Sequence, residues 1–230
     1  MSMGVQAPVL TIDGPSGAGK GAVSAKVALQ LGWGVLDSGA VYRSVALAAL
    51  NANTDLEDES ALIALCHDLD LAFAPGEDGI EAKLGGRALG DALRAEAVGV
   101  ASSKVAALPG VRAALLELQR SFRRRPGLVA DGRDMGTVVF TDAPAKVFLD
   151  ASVEERARRR YQQLKANGDD VTFDRLISDL QARDRRDRER AVSPTLPADD
   201  AVVVDSTSLG LAEVVEEVLA VVRERIPAVS

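Results

Sequence analysis

The chain has 230 residues, enough for one large domain or for one domain with appended lids. Hydrophobic residues make up 47% of it and aromatics only 3%, so its core must be built from Ala, Val, Leu and Ile. A net charge of −7 and a pI near 4.9 argue against a nucleic-acid polymer as the main partner, since such binders usually carry a basic face. A small phosphorylated ligand needs only a local basic cluster and is not excluded.

Residues 1–8 lack a basic start and a long apolar stretch, so no signal peptide is expected. No run approaches the ~18 apolar residues of a membrane helix, and a cytoplasmic protein is the expectation. Val9-Leu10-Thr11-Ile12 reads as a buried strand ending at a glycine-rich turn. Gly21 to Leu31 reads as a helix stopped by Gly32, Trp33 to Leu36 as a second strand, and Val41 to Leu50 as a helix with one buried face. The helical pattern from Glu57 to His67 contains Cys66, the one cysteine, and His67, the one histidine. A single cysteine excludes an internal disulfide or a four-cysteine metal site. The apolar spacing around the pair favours a part-buried thiol and a surface imidazole over a ligand pair.

Three short strand candidates follow at Leu69 to Phe73, Ile80 to Leu84 and Arg87 to Leu89, with Gly85-Gly86 as a two-residue hairpin signal. With the helical pattern from Arg94 to Ala107 they suggest a small inserted α+β module. Continuous apolar runs resume at 127–130, 146–149 and 201–204, which suits parallel strands covered on both faces. Between the last two, residues 154–190 carry Arg156, Arg158, Arg159, Arg160, Arg175, Arg183, Arg185, Arg186, Arg188 and Arg190 around the turn signal Asn167-Gly168-Asp169-Asp170. This reads either as a helical lid over polyphosphate or as a solvated hairpin with internal Asp–Arg pairs. The last helix carries an apolar stripe from Leu211 to Val222. Strands alternating with helices give an α/β fold with a parallel sheet.

Gly14-Pro15-Ser16-Gly17-Ala18-Gly19-Lys20 satisfies G-x-x-x-x-G-K between a predicted strand and a predicted helix. Glycines let successive amides turn inward onto phosphate oxygens, the helix N-terminus adds its dipole, and Lys20 places a cation near the β and γ phosphates. No Asn-Lys pair and no D-x-x-G occurs, which argues against a guanine-nucleotide switch. Large ATPases need more chain. A small-molecule kinase remains, with a phosphorylated acceptor if the scattered arginines are phosphate ligands.

With the segments 12–21, Leu36-Asp37-Ser38-Gly39-Ala40-Val41-Tyr42-Arg43, residues 130–140 and Arg183-Asp184-Arg185-Arg186-Asp187-Arg188, the chain resembles the bacterial cytidylate kinases over about residues 8 to 225. The resemblance implies a parallel-sheet P-loop kinase core (1–40, 108–153 and 191–230), an inserted α+β monophosphate-binding domain (41–107) and a helical lid (154–190). It implies transfer of the γ-phosphoryl group of ATP to CMP or dCMP in a monomer that uses Mg²⁺ as MgATP. ATP would lie on residues Gly14, Pro15, Ser16, Gly17, Ala18, Gly19, Lys20, Gly21 and Ala22. Arg43, Arg133 and Arg190 would hold the acceptor phosphate, and Arg183 and Asp187 the sugar. Ser38, Ser103, Arg112 and Asp134 would face cytosine, and Asp37 belongs to the same site. A carboxylate is the natural acceptor for the exocyclic amino group of cytosine, whereas uracil would oppose oxygen to oxygen. The plain alternative for Asp134 is a loop ion pair with Arg133.

Lys20, Arg133, Arg159, Arg183 and Arg190 are the expected catalytic cations, with Arg158 a further candidate. One departure stands out. The family usually has Thr after Gly21, and this chain has Ala22, so no protein ligand for magnesium can be named. The alternatives are another small P-loop kinase, for UMP, AMP or a non-nucleotide such as shikimate, and a nucleotide-binding module without turnover.

Overall fold

The structure, a computed structural model, describes residues 6–227 except 167, 169 and 191 and the side chains of 91 and 94. The long apolar runs form one wholly parallel five-stranded sheet. Its order is β2 (Gly34–Asp37), β6 (Leu128–Asp131), β1 (Val9–Asp13), β7 (Ala145–Asp150), β8 (Val202–Asp205). Side chains alternate between its faces, as the pleat requires. Leu10, Ile12, Val129 and Val147 point into a cluster covered by α1 (Lys20–Leu31) and α8 (Leu211–Arg225). Val9, Leu36, Leu128 and Ala130 point into a second cluster. That face is covered by α2 (Ser38–Asn51), α3 (Glu59–His67), α4 (Glu96–Val105) and α5 (Pro109–Ser121). Truncating a fully buried side chain such as Ile12 to Ala costs about 2–5 kcal/mol.

Each of the five strands ends on an aspartate: Asp13, Asp37, Asp131, Asp150 and Asp205. Several of these carboxylates stop the strand by accepting from the next turn's amides. Asp37 accepts from Ala40 N–H at 2.8 Å and so caps α2, while Asp205 accepts from Thr207 N–H at 2.9 Å. The same edge carries the glycine-rich turn into α1. Gly14 has φ of 145°, and a Cβ there would lie 2.0 Å from the Leu149 carbonyl oxygen, so only glycine lets β1 turn this close to β7.

The inserted module forms an antiparallel sheet of β3 (Leu71–Gly76), β4 (Gly79–Leu84) and β5 (Arg87–Ala88). Gly85 and Gly86 make the expected turn, with φ of 55° and 76°. Phe73 and Ile80 pack against the α1 side of the core. Residues 153–189 form α6 (Val153–Ala166) and α7 (Phe173–Glu189), packed on each other. Two residues of the turn signal between them, 167 and 169, lie outside the described residues.

Three readings change. The run at 201–204 is an edge strand rather than one covered on both faces: Val204 is buried, but Val203 is 58% exposed. The helix expected from Arg94 begins as a 3-10 turn, Gly90–Arg94, and becomes α-helical only at Glu96. The sequence reading also passed over α5, although Pro109 sits in its first turn and Val111 and Leu115 fall one turn apart on its buried face. Cys66 is buried in α3, its thiol pushed up to about 11 by burial, and His67 is exposed.

Candidate active site

The aspartate-terminated edge of the sheet opens into a cleft of about 540 Å³. Open α/β sheets bind ligands at this end, where the loops diverge. Its floor is the glycine-rich turn, with Ser16, Gly17, Gly19, Lys20, Gly21 and Ala22 facing in. Gly14, Pro15 and Ala18 do not line the cleft. Pro15 instead accepts from Lys20 Nζ at 2.8 Å, which folds that side chain back over the turn.

The opposite wall gathers the arginines. Arg43, Arg112, Arg133, Arg183 and Arg190 line the cleft from α2, α5, the loop after β6, and α7 with its C-cap. Arg43 donates to Asp37 at 2.8 Å, so both carboxylate oxygens of Asp37 are engaged inside the protein. Arg133 donates to Asp187 at 3.3 Å and to Gly132 O at 3.2 Å. A Cβ on Gly132 would meet Met135 Cγ at 2.6 Å and Ser38 Oγ at 2.7 Å, so a larger residue would displace both side chains.

These cations are under-compensated. Burial, then Arg133, pushes the Arg183 guanidinium down to about 10. Burial, then Arg112, lowers Arg190. Burial first, and then Arg133, depresses the Lys20 ammonium, against the pull of Asp131 and Asp13. Arg183 Nε and Arg190 Nη2 are buried with no partner. A buried charge without a counter-charge is expensive, so the cluster stores affinity for an anion.

The plain alternative for Asp134, a loop ion pair with Arg133, does not form, because Arg133 is engaged by Asp187. Asp134 pairs with Arg112, both nearly buried, and Arg112 also donates to Ala106 O at 3.1 Å. Asp134 opens a single π-helical turn, Met135–Val139, whose first two amides donate to Asp13 at 2.8 Å each. Asp13 is fully buried, and burial outweighs those two hydrogen bonds, raising its carboxyl to about 7. Ser38 and Ser103 line the same part of the cleft.

The lid divides. Arg159 and Arg160 face the cleft, and Arg159 also donates to Glu155 at 2.8 Å and to Ser206 Oγ at 3.1 Å. Arg158 is turned to solvent on Glu155, because its place on α6 points away from the turn, and it drops out as a candidate for charge neutralisation. Arg185, Arg186 and Arg188 do not line this cleft either.

Among the residues that face the cleft without a role from sequence are Tyr42, Asp131, Arg156 and Arg160. Asp131 lies within the quoted 130–140 segment and Tyr42 beside Arg43, so proximity to the motifs was the available signal. The carboxylate of Asp131 lies 3.6 Å from where a Cβ on Gly21 would be, at the start of α1. Among the described residues no group of three potential metal ligands occurs. One carboxylate beside a phosphate-binding turn still fits Mg²⁺, which takes one or two carboxylates together with nucleotide oxygens.

The family model for cytidylate kinase matches residues 10–224. Cytidylate kinase of Aeromonas hydrophila subsp. hydrophila is 54% identical over 224 residues, covering 97% of each chain. That of Stutzerimonas stutzeri is 56% identical over 220 residues, covering 95% of this chain and 96% of the relative. By that match and those relatives, with the glycine-rich turn and the arginine wall facing each other across one cleft, this chain belongs to the cytidylate kinase family.

Proposed function

We propose that the chain transfers the γ-phosphoryl group of ATP to CMP or dCMP, giving ADP and CDP or dCDP. The observation that carries the reading is the group of cations facing the cleft beside the glycine-rich turn, buried Lys20 with half-buried Arg183 and Arg190, in which Arg183 Nε and Arg190 Nη2 have no hydrogen-bond partner. Two phosphorylated ligands supply anions for them.

ATP phosphates lie on the amides of residues 14–22, with Lys20 and Arg159 as neighbouring cations. Arg43, Arg133 and Arg190 hold the acceptor phosphate, and Arg183 and Asp187 its sugar. Ser38, Ser103, Arg112 and Asp134 face the base. Asp134 accepts from the cytosine amino group and Arg112 donates to the ring acceptors beside it. Uracil reverses that pattern, and an unpaired buried acceptor costs about 1–3 kcal/mol, worth about fivefold to 150-fold. Asp37 acts at one remove, through Arg43.

The attacking group is an oxygen of the acceptor phosphate. It is already anionic near pH 7, since such a phosphate has a second pKa of roughly 6. No side chain has to take a proton. The protein orients the two phosphates in line, neutralises charge on the moving group and excludes water by closing α6 and α7 over it. Asp131, with ATP oxygens and water, is the residue placed to hold Mg²⁺. A bound ion would supply positive charge against the phosphoryl group being moved.

In this reading residues 1–40, 108–153 and 191–230 form the core, 41–107 the monophosphate-binding domain and 154–190 the lid, in a cytoplasmic monomer. Among the described residues no helix is long and apolar enough to cross a membrane. The test is a panel of acceptors, CMP, dCMP, UMP, AMP and shikimate, with MgATP. ADP formation that depends on CMP or dCMP supports the reading. A better rate with any other acceptor, or ADP formation indifferent to acceptor, overturns it.

A further inference from the structure

We propose that Tyr42 is a positioning residue for base selection: its ring holds the Arg112 guanidinium against Asp134, so that the two meet the base as one donor–acceptor unit. This rests on the reading of Arg112 and Asp134 as the base-facing pair. The guanidinium carbon of Arg112 lies 5.4 Å from the centre of the Tyr42 ring, within cation–π reach. Arg112 is held on three sides. One nitrogen bonds to Ala106 O at 3.1 Å, a second pairs with Asp134, and the aromatic ring meets the planar group.

The ring is itself fixed. Tyr42 is 7% exposed, and Gln119, 1% exposed, faces its hydroxyl from α5. Gln119 is anchored in turn by a hydrogen bond to Leu115 O at 3.3 Å. Tyr42 also precedes Arg43 on α2, in the turn where Asp37 caps the helix and pairs with Arg43. One turn of α2 thus carries a residue for the acceptor phosphate and, next to it, the support for the base pair. Without the ring, Arg112 keeps its two hydrogen bonds but can rotate about them, and the donor array no longer sits at one fixed angle to the Asp134 carboxylate.

The experiment measures kcat and KM for CMP and for UMP at saturating MgATP, and KM for ATP at saturating CMP, in the wild type and in Tyr42→Leu, Tyr42→Phe and Arg112→Met. The expected result is a roughly tenfold loss of CMP-over-UMP preference in Tyr42→Leu, carried by KM for CMP, with KM for ATP within about twofold. Tyr42→Phe, which keeps the ring, restores most of the preference. If Tyr42→Leu does not fold, Tyr42→Met, closer in volume, is expected to give the same loss. A Tyr42→Leu or Tyr42→Met enzyme with wild-type preference, alongside an Arg112→Met enzyme that has lost it, overturns the inference and leaves the base-facing pair standing. Unchanged preference in Arg112→Met removes the base-facing reading and the inference with it.

Discussion

Arg156 on α6 and Asp184 on α7 meet in a two-point ion pair, Nη1 to Oδ1 at 3.1 Å and Nη2 to Oδ2 at 2.6 Å. The same guanidinium donates to Ser16 O at 2.9 Å and to Ala151 O at 2.9 Å. Asp184 neighbours Arg183 and lies one turn before Asp187 on α7, so this contact ties the cleft-facing residues of α7 to the glycine-rich turn. Arg156 is 3% exposed, and removing its counter-ion leaves a buried charge unpaired. Asp184→Leu is expected to lose about 3–5 kcal/mol of stability in thermal or denaturant unfolding. Arg156→Met combined with Asp184→Leu should recover much of that loss, yet still raise KM for ATP, since Ser16 O has lost its donor. Arg158→Ala, on the solvent side of the same helix, should leave both readouts at their wild-type values.

Lys20 is a buried cation that donates to the Pro15 carbonyl, with the Asp131 and Asp13 carboxylates near it. Lys20→Ala should lower kcat by about 10²–10³, the range for removing one preorganised donor from a developing charge. Steady-state rates with CMP and MgATP check this. A variant within a few-fold of the wild type would contradict the role given to the lysine.

Asp13 supplies a pH test. Its folded-state carboxyl is raised from 3.8 to about 7, chiefly by burial. Between those values the folded state holds a proton that the unfolded chain has released. The contribution is therefore fully present below pH 4 and is lost as pH rises through about 7. Three units correspond to about 4 kcal/mol. Asp13→Asn should flatten the fall in stability between pH 5 and pH 8 relative to the wild type. Chemical unfolding at the two pH values measures it, and equal slopes in the two proteins would contradict it.

Chelation of Mg²⁺ should abolish turnover, and Asp131→Asn should raise the Mg²⁺ concentration needed for half-maximal rate by about tenfold, with KM for CMP little changed. Titration of the ion at fixed ATP separates this from a general loss of activity. Ala22→Thr, which restores a hydroxyl at the start of α1, is expected to shift the same midpoint downward.

Much of the fold was legible because local signals and packing agree. Val9-Leu10-Thr11-Ile12 is fully buried as β1, Gly32 ends α1, and Gly85-Gly86 turns the inserted hairpin. The spacing from Gly14 to Lys20 specifies a phosphate-binding turn, since backbone geometry alone makes it. The extent of α5 and the π turn at Met135–Val139 were not read, the latter because its amides are stabilised by Asp13, 122 residues away. The exposure of Val203 was equally unreadable, since an apolar run does not record whether its strand lies at the edge.

By itself, then, the sequence determined the class of ligand and the family, because main-chain amides and fixed glycines act within a few residues of one another. Tertiary structure alone decided which of many arginines meet in the cleft, that Asp134 pairs with Arg112, and that Arg156 is a brace facing Ser16. Those outcomes depend on how helices far apart in the chain are rotated and buried, and burial is what turns an ordinary guanidinium into a cation short of a partner.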